Sequence, residues 1–171
     1  MKNNDLILVE LKYITKECKC SHNNDTYNLR SHQSDPEYLY RIRKDISRVE
    51  KCVTQCKSNN GFVIVISNKI SLQKNLLKGV TYGKNYTLHN GYTIPNNDPG
   101  WNYSPGCSAV KSPSIVIYPP YYANNSKTAP HWICKKINFY NTDLTGNYTI
   151  NWNKYYTTAN VKNFYNCVIE V

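Results

Sequence analysis

The chain has 171 residues, a formal net charge of +10 and a sequence pI near 9.2. That length suits one domain with a moderate core, and that charge suits a partner carrying phosphate, with nucleic acid the leading class. No window is apolar for long enough to span a membrane, and Glu10 and Lys12 break the N-terminal apolar run where a signal peptide stays apolar, which argues for a cytoplasmic protein that is neither embedded nor exported.

The segment from Asp5 to Ile14 is rich in strand formers and reads as the first strand. Side chains alternate along a strand, so Leu6, Leu8, Glu10 and Lys12 share one face, while Ile7, Val9, Leu11 and Tyr13 line the other. Residues 15–34 are polar and read as a loop. Asp35-Pro36 then supplies a cap residue and a first-turn proline, predicting a helix to about Lys57. Leu39, Ile42, Ile46, Val49 and Val53 form its apolar stripe, and Arg41, Arg43, Lys44, Asp45, Arg48, Glu50 and Lys51 fall on its other faces. Asn59-Asn60-Gly61 reads as the helix stop. The run Phe62 to Ile66 reads as a strand buried on both faces.

Strand, helix and strand in this order predict an α/β fold with a mixed sheet and a packed helix. Residues 5–68 hold this core, 69–130 read as a loop-rich insertion with a short strand at Ile115–Ile117, and 131–171 supply closing strands. Those are expected at Ile133–Phe139, Gly146–Trp152 and Phe164–Val171.

Glu10 and Lys12 form the candidate site. Two opposite charges on one face of an otherwise apolar strand are costly unless they neutralise each other or meet a metal or an anionic substrate. The bland alternative is a strand end whose charges reach solvent. The seven cysteines are odd in number and irregularly spaced, which favours mostly reduced thiols. Cys18, Cys20, His22, Cys52, Cys56, His131 and Cys134 match no strong zinc spacing. Sequons at Asn24, Asn85, Asn102, Asn124 and Asn147 leave a secreted, disulfide-linked binding protein as a third alternative. The 16 tyrosines accompany abundant Asn and Lys, as an AT-rich coding sequence would give, so their number alone is no evidence for base stacking.

Three segments taken together carry a family resemblance. Val9-Glu-Leu-Lys-Tyr-Ile-Thr15, Tyr40-Arg-Ile-Arg-Lys-Asp-Ile-Ser-Arg-Val-Glu50 and Gly61-Phe-Val-Ile-Val-Ile-Ser-Asn68 resemble, in order, a branch of the PD-(D/E)XK nuclease superfamily with the restriction-endonuclease-like fold. Tyr86–Gly91, Leu144–Tyr155 and Phe164–Val171 are similar to its later strands. The resemblance implies Mg²⁺- or Mn²⁺-dependent hydrolysis of DNA phosphodiesters, with RNA as a further substrate class. Glu10 would ligate the metal with the main-chain carbonyl of Leu11, and Lys12 would orient the attacking water or stabilise the charged transition state. Arg41, Lys44 and Arg48 on the helix are the expected nucleic-acid contacts, and Asp45 and Arg48, three residues apart, can also pair at the surface.

The family's first helix and two strands have no counterpart before residue 5. Asp5 is the candidate for the first metal-binding acid, although strand parity sets it opposite Glu10. An incomplete core of this kind implies a homodimer, or a partner chain that completes the sheet. It also keeps open a noncatalytic relative that acts as a nucleic-acid-binding or assembly protein.

Overall fold

In a computed structural model, residues 6–32, 35–56, 60–74, 86–99, 142–157 and 163–171 are described. The chain begins with strand β1 (Ile7–Ile14), a hairpin of β2 (Cys18–His22) and β3 (Asp25–Leu29), helix α1 (Asp35–Cys56) and β4 (Asn60–Ser67). After these come α2 (Ile70–Gln73), β5 (Thr93–Ile94), β6 (Tyr148–Thr149), β7 (Trp152–Thr157) and β8 (Asn163–Glu170). The result is a mixed α/β fold whose main sheet has the order β1-β4-β8-β7. β1 and β4 run parallel, as two strands joined through a helix do, whereas β8 is antiparallel to both of its neighbours.

Helix α1 packs on one face of β1 and β4. Its stripe of Leu39, Ile42, Ile46 and Val49 is buried and meets Ile14, Val63, Val65, Cys167 and Ile169 in a single core cluster. The expected first strand and long helix are therefore present. β4 differs from the expectation of a strand buried on both faces. Val63, Val65 and Ser67 are buried, whereas Phe62, Ile64 and Ile66 are only half-buried, because α1 covers one side of the sheet.

The same asymmetry is sharper on β1. Leu8, Glu10, Lys12 and Ile14 turn toward α1, while Ile7, Val9, Leu11 and Tyr13 remain 48–58% exposed. Among the described residues β1 is also an edge of the sheet.

The polar stretch read as a loop contains the β2–β3 hairpin. Its two-residue turn is Asn23-Asn24, both at positive φ (49° and 68°), a conformation that Asn tolerates better than most residues and that matches the twist of paired strands. Gly61 is not a helix stop, since α1 has ended at Cys56 and Gly61 lies inside β4. A Cβ there would collide with the side chains of Val49 and Val53, so glycine is what lets the helix approach the strand. The single strand expected over Gly146–Trp152 is two elements. β6 pairs with β5, the chain then turns at Ile150, and β7 begins at Trp152 against β8. The strands expected at 115–117 and 133–139 lie outside the described residues.

Two segments, 86–99 and 142–150, are bound to α1 by buried charges that the sequence placed on its outer faces. Arg43, only 2% exposed, donates to the carbonyls of Pro95, Asn96 and Thr142 and to the Thr142 hydroxyl, at 2.9–3.1 Å. Glu50 Oε1 accepts from the Thr145 amide and hydroxyl, the Gly146 amide and the Tyr148 hydroxyl, at 2.6–3.0 Å. Asp98 joins the segments to each other by accepting from the Thr142 amide and hydroxyl and from the Tyr86 hydroxyl. Among the described residues no helix is long and apolar enough to cross a membrane.

Candidate functional site: a charged quartet between the first strand and the helix

The alternation of β1 holds the side chains of Glu10 and Lys12 on the face that meets α1. In the parallel register Glu10 stands beside Val63 and Lys12 beside Val65, so apolar neighbours flank both charges. The helix answers with Asp45 and Arg48. Lys12 Nζ lies 2.7 Å from Asp45 Oδ2 and 3.9 Å from Glu10 Oε1. Arg48 Nη2 lies 2.8 Å from Glu10 Oε2 and 3.0 Å from Asp45 Oδ1. Two carboxylates and two cations thus alternate around a closed circuit with no net charge.

The four members differ in burial. Asp45 is 4% exposed, Glu10 and Lys12 are half-buried, and Arg48 is exposed. Burial pushes the Asp45 carboxyl above its ordinary value, and nearby Glu10 adds to this, while the Lys12 ammonium and then Arg48 pull the other way. A cavity of about 130 Å³ adjoins the quartet, lined by Leu8, Val9, Glu10, Arg48, Val49 and Cys52.

Of the residues the sequence singled out, Glu10, Lys12 and Arg48 come together here. Among the described residues, Arg48 is the one member of the expected helix set Arg41, Lys44 and Arg48 that joins the quartet; Arg41 is exposed and Lys44 half-buried elsewhere on α1. Leu11 occupies the register position beside Ile64, with its side chain on the face away from Glu10. Asp5 lies outside the described residues.

Asp45 is the residue that sequence reasoning undervalued, as one half of a surface pair. Its signal was its spacing, three after Ile42 and four before Val49, which sets it on the flank of the buried stripe. Arg43 stands four after Leu39 and three before Ile46, and Glu50 four after Ile46 and three before Val53, which sets both on the other flank of the stripe, and both are buried.

The cysteines and histidines weighed for zinc do not assemble. Cys18, Cys20 and His22 sit on the hairpin, Cys52 and Cys56 lie on α1, and His131 and Cys134 fall outside the described residues. Among the described residues no three His, Cys, Asp or Glu side chains are grouped to hold a metal. Cys18, Cys20, Cys52, Cys56 and Cys167 are free thiols, and burial pushes Cys167 up to about 11.

With this geometry in view the chain was compared with known proteins. No protein-family model, no curated protein and no solved structure matches it.

Proposed function

We propose that the protein is a metal-dependent nuclease-like enzyme of the PD-(D/E)XK type that hydrolyses DNA phosphodiester bonds, with the quartet as its site. One observation carries this reading. The strand's Glu10 and Lys12 converge with a buried helical carboxylate, Asp45, which Lys12 contacts directly and which shares Arg48 with Glu10, on a strand that is the sheet's edge among the described residues and runs parallel to β4. The restriction-endonuclease-like core is part of the proposal.

Two carboxylates, Glu10 and Asp45, are the oxygen donors that a hard divalent cation would use here. Glu10 and Asp45 offer carboxylate oxygens that both contact one nitrogen of Arg48, which marks a position where positive charge is favoured from two sides. Mg²⁺ or Mn²⁺ held by Glu10 and Asp45, with Asp5 and the Leu11 carbonyl as the further ligands implied by the family resemblance, would polarise the phosphate and acidify a bound water. Lys12, already oriented by Asp45, presents an ammonium to the same phosphate and steadies the charge that develops on it. Arg48 is exposed enough to swing from the carboxylates to a phosphate oxygen.

The test is Mg²⁺- or Mn²⁺-dependent cleavage of plasmid and single-stranded DNA, with Glu10→Ala and Lys12→Ala alongside. Each variant is expected to lose about a hundredfold or more of the activity while staying folded, the scale of removing one preorganised charged group. No cutting by the parent chain with either metal would sink the nuclease reading.

The internal neutrality of the quartet favours a second reading, a noncatalytic relative that binds nucleic acid or assembles with a partner. In that case nucleic acid is retained in a strongly salt-dependent way and is not cut.

A further inference from the structure

The face of the sheet away from α1 holds a second candidate site, distinct from the quartet. Between this face and the β2–β3 hairpin lies a cavity of about 260 Å³, whose lining includes Tyr13, Leu29, Ile66, Tyr155, Tyr156 and Phe164. Two of these aromatics reach it through an irregularity. In regular pairing, consecutive residues point to opposite faces, yet Tyr155 and Tyr156 both line the cavity. The pairing explains this, because Lys154 stands opposite Tyr165 and Tyr156 opposite Phe164, so Tyr155 is an extra residue in a β-bulge. The bulge turns both rings toward one place and leaves them 66% and 40% exposed, beside a Tyr13 that is 51% exposed.

We propose that this cavity is a stacking platform for the bases of single-stranded nucleic acid. Planar rings held by sheet and bulge offer faces to any base, and the exposure of three tyrosines is costly for a surface that meets only water. The charge around the cavity matches a polyanion. Lys16 follows the lining residue Thr15 and Arg30 follows Leu29; both are exposed and lie just outside the strands, where they outnumber Glu17, the acid of the same turn. Thr15 ties the rim together by donating its hydroxyl to the Arg30 carbonyl at 2.8 Å. Stacking supplies base contact, and Lys16 and Arg30 follow the backbone. The proposal does not depend on cleavage at Glu10.

The test is fluorescence anisotropy with labelled oligodeoxyuridylate, the matching oligouridylate, a duplex of equal length and an abasic strand with the same phosphates. The intact chain binds a base-bearing single strand more tightly than the abasic strand or the duplex, and whichever of the two single strands it prefers identifies the sugar. Tyr155→Ala and Tyr156→Ala each weaken that binding about tenfold and leave the affinity for the abasic strand unchanged, whereas Tyr155→Trp restores it. Because the Tyr155 ring is largely in solvent, its truncation leaves the core intact, which an unchanged circular-dichroism melt verifies. Equal affinity for abasic and base-bearing strands, tighter binding of the duplex, or an unaltered Tyr155→Ala variant overturns the proposal.

Discussion

Asp45 sets the electrostatic character of the quartet, because it is the member taken furthest out of water. Its folded pKa lies above the ordinary 3.8, chiefly through burial and against the pull of Lys12. A carboxyl raised in this way costs stability when ionised. The cost is fully present above the folded pKa and fades as pH falls through that value toward 3.8. Asp45→Asn does not titrate, so in urea unfolding at a series of pH values the parent chain gains stability relative to the variant as pH falls through that window. A difference independent of pH would contradict this assignment. Glu50 has the opposite role, as an acceptor for four donors at one oxygen. Glu50→Ala strands those donors and is expected to cost about 2–4 kcal/mol in urea unfolding, while Glu50→Gln keeps a carbonyl acceptor and costs less. Glu10 and Lys12 were legible from alternation alone. Apart from Arg48, whose pairing with Asp45 the three-residue spacing suggested, the partners of Arg43, Asp45 and Glu50 were not, since they come from segments far away in sequence that no local pattern connects.

At the scale of elements, α1 and β4 depend on close approach. Ile46 is fully buried in their interface, and Ile46→Ala is expected to cost about 2–5 kcal/mol. Gly61→Ala tests the approach itself. The added methyl must displace Val49 and Val53, at a cost of about 1–3 kcal/mol, and a neutral result would show that the helix can move away freely. Both changes are read from denaturant midpoints. The helix was legible because its apolar stripe persists over four turns and its first turn carries Asp35-Pro36. The β2–β3 hairpin was not, because its strands are short and polar and its pairing rests on backbone bonds around Asn23-Asn24. The two-sided burial expected for β4 failed for a related reason. A run of Val and Ile reports strand preference, but whether anything covers the second face depends on the rest of the fold.

At the scale of the molecule, the sheet divides two chemistries. The helix side carries a neutral quartet, and the open side carries aromatic rings with Lys16 and Arg30 at their rim. With a net charge of +10, association with nucleic acid is expected to weaken steeply with added salt whichever face binds, and a salt titration of affinity gives the number of phosphates engaged. Glu10→Ala is not expected to reduce that slope, because it removes no cation, whereas substituting Lys16 or Arg30 lowers it by about one each.

The hydrogen bonds between Asp98 and Thr142 have a consequence for how the fold is held together. They bring together the two ends of residues 99–141, and Arg43 grips both ends from the helix. The chain therefore leaves and re-enters the scaffold through one doorway. The cost of bringing two chain positions together grows only slowly with their separation in sequence, so these bonds at the doorposts hold the two ends at little penalty for the distance between them along the chain. Asp98→Ala unlatches one doorpost from the other and is expected to lower the thermal midpoint, while an unchanged midpoint would show that Arg43 alone holds the doorway shut.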